Sequence, residues 1–184
     1  LGAEMPIEEL PHLQKRILQR CITLGRPAIT ATQMLESMVT APSPTRAEAS
    51  DIANAVFDGS SAVMLSGESA IGHDPSNAVA TMARIAAGAD DEFDYDAWGA
   101  RVHEIASTMQ PHIDDTVTLG MTNAAWRAAP ETGASAIICI TRTGYTVRSI
   151  ARFRPQAKIL GFSTDDQTLR QLTLSWGATP IHLD

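Results

Sequence analysis

Ala28-Ile-Thr-Ala-Thr-Gln-Met-Leu-Glu-Ser-Met38 and Ala62-Val-Met-Leu-Ser-Gly-Glu68 are the two stretches whose reading decides the fold. Each opens on a short run of small, β-branched or aliphatic residues and ends on polar ones, Thr32 and Gln33 in the first and Ser66 and Glu68 in the second. Between them lies Pro44-Thr-Arg-Ala-Glu-Ala-Ser-Asp-Ile-Ala-Asn-Ala-Val56, a turn followed by Ile52, Ala53, Val56 and Phe57 at helical spacing. Strand, helix, strand with polar residues at both strand ends is the repeat from which (β/α)8 barrels build a site on their C-terminal face.

Upstream, Ile7, Leu10, Leu13, Ile17, Leu18, Cys21 and Leu24 fit one helix face, with Pro11 bending or restarting the helix and Gly25 stopping it. Downstream of residues 28–32 the pattern predicts a short helix over 33–39 and a helix over 46–58 that ends at Gly59. A strand over 62–66 follows, and then a helix that starts at Pro75 with Asp74 as its N-cap. Asp90, Asp91, Glu92, Asp94 and Asp96 then mark a change of composition, read as an acidic linker over 90–97 because their spacing fits no calcium loop.

From Trp98 the pattern restarts as helices over 98–109 and 115–129, a strand over 136–140, a helix over 146–153, a strand over 158–162, a helix over 166–172 and a strand over 178–183. Short apolar strands alternating with helices imply a parallel α/β sheet. The fold class expected is therefore α/β: the final part of a (β/α)8 TIM barrel in 1–89, the linker, and a parallel-sheet α/β domain in 98–184.

Bulk properties bound the function. A net charge of -7 disfavours nucleic acid as a partner, since phosphate backbones reward clustered Lys and Arg. No run approaches the roughly 20 apolar residues of a membrane helix, and the first residues lack a signal pattern, so a cytoplasmic protein without a membrane partner is expected. Cys21 and Cys139 stand alone among apolar neighbours, and the five histidines lack paired metal-ligand spacing.

Two places carry the residue types of a site. Thr32 and Ser66 lie one β-α repeat apart, with Glu68 beside Ser66, so a single ligand fits between two strand ends; the alternative has Thr32 and Ser66 capping helices and Glu68 as a first-turn charge. Neither hydroxyl has a nearby histidine, which leaves a hydrolytic triad without support. After the strand at 136–140, Thr141-Arg-Thr-Gly-Tyr-Thr146 combines hydroxyls, a glycine and Arg142 at a helix start, which suits an anion but is also what an ordinary capped helix looks like. Arg148, Arg152, Arg154 and Lys158 extend the positive charge, or form a solvated face.

Ile29-Thr-Ala-Thr-Gln-Met-Leu-Glu-Ser-Met38, Pro44-Thr-Arg-Ala-Glu48, Ser50-Asp-Ile-Ala-Asn-Ala-Val56 and Met64-Leu-Ser-Gly-Glu68 resemble the pyruvate kinase family in wording, order and spacing. Thr143-Gly-Tyr-Thr146 and Ala151-Arg-Phe-Arg-Pro155 resemble the effector-loop region of its C-terminal domain. The resemblance implies a glycolytic transferase, the ATP-binding kinase that moves phosphoryl from phosphoenolpyruvate to ADP with Mg2+ and K+, usually as an allosteric, cytoplasmic homotetramer. It implies a catalytic role for Thr32, Ser66 and Glu68, an effector-phosphate loop of Thr141, Arg142, Thr143, Gly144 and Thr146, and a subunit contact near Arg46.

Family members carry Arg-Gly-Asp-Leu-Gly where this chain has Leu1-Gly2, so the resemblance places the metal aspartate, with the catalytic lysine and the K+ ligands, outside these 184 residues. The expectation is a part of pyruvate kinase that is inactive alone. The alternative is a regulatory module that binds a phosphorylated metabolite at 141–146 without catalysis. Tyr145 stands where some relatives place a basic residue, which leaves a monophosphate or AMP open as the effector.

Overall fold

The computed structural model describes residues 5–108 and 113–184. Leu1-Gly2, the expected helix end at 109 and His112 lie outside the described residues. Two compact units result: the first holds residues 1–20 and 28–93, the second 21–27 and 94–184.

A 3₁₀ turn at Ile7–Glu9 leads into α1 (Leu10–Thr23), of which residues 10–20 belong to the first unit. Pro11 restarts the helix: it sits in the first turn, where its missing N-H has no intrahelical partner to lose. Gly25 follows at φ 61, the left-handed position that ends the helix. Strands β1 (Ile29–Ala31) and β2 (Ala62–Met64) pair in parallel with Ile29 opposite Ala62, and α2 (Arg46–Phe57) is their crossover.

Helix α2 starts at a capping box in which Thr45 Oγ1 accepts from the Glu48 N-H and the Glu48 carboxylate accepts from the Thr45 N-H. Gly59 stands just beyond its end at φ 93, as expected. Asp74 caps α4 (Pro75–Asp91) through the Asn77 N-H at 3.0 Å, with Pro75 in the first turn. Met34, Leu35, Met38, Ile52, Ala78 and Met82 form the core between these elements.

Two local expectations are corrected. Residues 33–39 do not form one helix: Thr32 and Gln33 both take left-handed backbone angles, φ 72 and 56, and only Glu36–Val39 winds, as a 3₁₀ turn. The second strand stops at Met64, and Ser66 is the N-cap residue of a one-turn helix, α3 (Gly67–Ala70), with Glu68 in its first turn, as the alternative reading of Ser66 and Glu68 had it, although the Ser66 hydroxyl makes no capping bond. The buried carboxylate described below bonds one N-H in each of these segments.

The second unit opens with α5 (Tyr95–Thr108) and α6 (Ile113–Glu131), which runs past the expected end to include Pro130. The acidic stretch 90–97 is helical at both ends, since α4 extends through Asp91 and α5 begins at Tyr95. Gly99 lets α5 approach Trp126 of α6: a Cβ there would lie 2.1 Å from the indole. Strands β3 (Ala136–Ile140), β4 (Lys158–Ser163) and β5 (Ala178–His182) form a parallel sheet in the order β3-β4-β5, with Cys139 opposite Gly161 and Phe162 opposite Ile181. Helices α7 (Tyr145–Ala151) and α8 (Asp166–Leu172) supply Val147, Ile150, Ala151 and Leu172, which pack with Cys139 and Ile159 on one face of that sheet. Among the described residues no helix is long and apolar enough to cross a membrane.

Candidate functional site

Both polar strand ends fall at the C-terminal edge of the β1-β2 pair, because parallel pairing aligns Ala31 with Met64. Thr32 follows directly on β1 and is exposed, while Ser66 lies two residues beyond β2 and is half-buried. A β-branched residue with φ 72 is a backbone outlier, since the left-handed region crowds Cβ against the following carbonyl. Such strain persists only where the surroundings over-determine it, and it concentrates at functional sites.

What holds this edge together is Glu68. Its side chain has no exposed surface, its Oε1 accepts the Leu35 N-H at 2.9 Å, and its Oε2 accepts the Ser66 N-H at 2.8 Å. One carboxylate thus joins the segment after β1 to the segment after β2. Burial pushes its pKa up, but the backbone N-H donors outweigh that and hold it below the ordinary carboxylate value. Glu68 is therefore an anion at neutral pH, engaged by backbone on both oxygens.

Glu48 extends the arrangement from α2. The Ser37 N-H donates to Oε1 at 2.7 Å and the Ser37 hydroxyl to Oε2 at 2.6 Å, while Thr45 donates from its N-H and Oγ1 to the same Oε2. Burial again opposes ionisation, yet these donors lower its pKa to about 2. Sequence reading missed this role, because Ser37 and Glu48 are ordinary residues until the fold brings them together. The capping-box spacing of Thr45 and Glu48 was the one signal available. Arg46, in the first turn of α2, is exposed. Among the described residues no group of three His, Cys, Asp or Glu is placed to hold a metal ion.

In the second unit the loop 141–146 stands at the C-terminal end of β3. Thr141 is buried and its Oγ1 accepts the Gly144 N-H at 2.9 Å. Gly144 has φ 75, and a Cβ there would meet Arg148 Nη1 at 2.7 Å and Leu172 Cδ2 at 3.0 Å, so glycine is required on two counts. The loop carbonyls are fastened as well: Thr168 Oγ1 donates to the Arg142 carbonyl at 3.0 Å, and Arg148 Nη2 to the Thr143 carbonyl at 3.0 Å. The Arg142 and Thr143 side chains remain exposed, with Thr146 half-buried.

The basic run beyond this loop divides differently from either sequence reading. Arg152 donates from Nε to the Ser149 carbonyl, lies over the Phe153 ring, and has its pKa lowered by burial. Arg154 is 2% exposed, in left-handed geometry at φ 50, with its guanidinium 5.2 Å from the Trp98 ring centre and 5.4 Å from that of Trp176. Both face inward, which leaves them outside a phosphate patch at the loop. A separate cleft of about 600 Å3, lined by Tyr95, Trp126, Pro130, Ser135, Arg154 and Lys158 among others, opens at the opposite, N-terminal ends of β3 and β4.

Comparison with known proteins accounts for both units. Residues 1–79 match the family model of the pyruvate kinase barrel domain, and residues 120–184 that of the pyruvate kinase alpha/beta domain. The pyruvate kinase of Clostridium acetobutylicum is 46% identical over all 184 residues, which span 37% of its length. A crystal structure of a pyruvate kinase from Cryptosporidium parvum superposes with a TM-score of 0.92 at 39% identity, covering 100% of this chain and 36% of that one. A further structure of the Cryptosporidium enzyme, in complex with ADP, matches with a TM-score of 0.87. The chain therefore spans about a third of the length of these relatives, and its likeness runs through the barrel residues as well as the α/β domain, which disfavours a free-standing regulatory module. The matched models and relatives, together with the parallel strand ends that carry Thr32 and Ser66, make this chain a member of the pyruvate kinase family.

Proposed function

We propose that this chain supplies one wall of a site that transfers phosphoryl from phosphoenolpyruvate to ADP. Residues 1–89 form the last part of the barrel, 90–97 the joint, and 98–184 the regulatory α/β domain. The observation that carries the reading is the left-handed Thr32 at the end of β1, beside the strand end that bears Ser66. In this reading Thr32 faces the substrate carboxylate and serves the proton delivered to the enolate, and Ser66 lines the same pocket.

The Mg2+ and K+ that the family resemblance implies do not fit the described residues, because the Glu68 and Glu48 carboxylates at this edge are taken by N-H and hydroxyl donors, and no group of three His, Cys, Asp or Glu among the described residues is placed to hold a metal ion. Phosphoryl transfer relies on such charge neutralisation, so the opposite wall of the site belongs to the remainder of a complete barrel.

The exposed Arg142 and Thr143, with Thr141, Gly144 and Thr146, are proposed to receive the phosphate of an effector, and Arg46 to lie at a subunit contact of a cytoplasmic homotetramer. Grafting residues 1–184 in place of the matching segment of the Clostridium acetobutylicum enzyme tests the whole reading. The graft is expected to form pyruvate, and Thr32→Ala to lower kcat by about 10²-fold, the scale of a lost proton-transfer group. A folded graft with no turnover overturns the catalytic reading. Amide signals of 141–146 that stay unmoved by phosphosugars and AMP overturn the effector reading, and a graft that sediments as a monomer overturns the tetramer.

A further inference from the structure

We propose that Glu68 and Glu48 are positioning residues that set the backbone of Thr32, acting through the peptide groups of Leu35 and Ser37 without touching substrate. The relevance of this to catalysis rests on the reading of Thr32 given above.

The starting point is the two consecutive left-handed residues, Thr32 and Gln33. An L-residue favours this geometry only with outside help, and a β-branched one needs more of it. Neither residue is buried, so packing of their own side chains does not supply the constraint. The residues immediately after them do. Met34 and Leu35 are 5% and 0% exposed, the Leu35 N-H is held by Glu68, and two residues later the Ser37 N-H and hydroxyl are both held by Glu48.

The chain leaving β1 is therefore fixed at two alternate peptide groups by two carboxylates, one from α3 and one from α2. With β1 fixing the other side, residues 32 and 33 must cross a set distance in a set direction. Glu68 does one thing more: through the Ser66 N-H it ties that path to the second strand end. Hydrogen bonds to an ionised acceptor are about twice as strong as neutral ones, which suits them to hold strained backbone.

The test is NMR on the 184-residue chain, with the Cα and Cβ shifts of Thr32 and Gln33 as the readout. Thr45→Ala is the control: it removes the cap of α2 and the Thr45 hydroxyl donor to Glu48 Oε2, while both Ser37 donors and the backbone N-H of residue 45 still hold the Glu48 carboxylate. Glu68→Gln and Glu48→Ala are expected to move the Thr32 and Gln33 shifts out of the left-handed range and to speed exchange of their amides by about tenfold or more. Ser37→Ala should give a smaller displacement in the same direction, and Thr45→Ala none.

Unchanged Thr32 shifts in Glu48→Ala overturn the proposal, as does a Thr45→Ala displacement equal to that of Glu48→Ala, which would mark general loosening of α2. Should Glu68→Gln fail to fold, Glu48→Ala and Ser37→Ala decide the matter at half-buried positions. An inactive graft would remove the catalytic reading and leave this readout intact.

Discussion

At the scale of single residues, Thr32 sets stability against function. The left-handed region costs an L-residue about 1–2 kcal/mol, whereas glycine pays only about 0.5–1 kcal/mol for its greater freedom in the unfolded chain. Thr32→Gly is therefore expected to stabilise the chain by a few tenths to about 1 kcal/mol, measured by urea unfolding at neutral pH, while removing the hydroxyl assigned to proton delivery. A loss of stability on this substitution would mean that Thr32 side-chain contacts outweigh the strain. Gly144 and Arg154 mark the contrasting cases. The first is a glycine where a Cβ has no room, and the second is a non-glycine whose left-handed backbone is offset by burial between two indoles.

At the scale of elements, the N-terminus of α2 links folding to pH. Glu48 has a folded pKa of about 2 against an ordinary value of 4.5, so the unfolded chain takes up its proton first as pH falls. The sign follows: its contribution to stability is complete above the unfolded value, declines below about pH 5, and is gone near pH 2. Glu68, also lowered, adds in the same direction. Glu48→Gln is expected to flatten the acid limb of a stability-against-pH curve between pH 5 and 2, and Thr45→Ala to cost about 1 kcal/mol at neutral pH and to shrink the limb without abolishing it, since the Ser37 donors and the backbone N-H of residue 45 remain on Glu48; an unaltered limb in Glu48→Gln would remove Glu48 as its source. This same element shows what the sequence makes legible. Helical periodicity, the Asp74 cap and the Gly25 and Gly59 stops all read correctly, because each depends on neighbours within one or two turns. The path of 32–39 did not, because its Leu35 N-H is held by a carboxylate 33 positions away. Thr32 and Ser66 could be singled out by type and spacing, whereas the left-handed backbone of Thr32 is visible only in three dimensions.

For the whole molecule, the decisive property is that its parallel sheets are covered incompletely. Parallel strands are normally packed on both faces, and a pair of strands alone is marginal in water. Here β1 and β2 form a two-stranded sheet with Ile29 47% and Met64 46% exposed, and β3, an edge strand, turns Ile138 and Ile140 outward at 67% and 75% while Cys139 between them is buried. Fully burying one such side chain is worth about 1.5–3 kcal/mol. The opposing term is repulsion from a net charge of -7, which is screened beyond about 8 Å at physiological salt. Apolar burial should win once that repulsion is screened, so the 184-residue chain is expected to associate reversibly, more strongly with added salt. Replacing Ile138 and Ile140 together by Lys puts charge on the exposed edge, the device by which natural edge strands resist pairing, and touches no residue of the β3 core cluster. Sedimentation velocity checks this directly: the wild-type coefficient should rise with concentration and salt, and that of the double variant should rise less. A wild-type coefficient that stays constant across both would show that these faces are too small or too dispersed to hold two copies together.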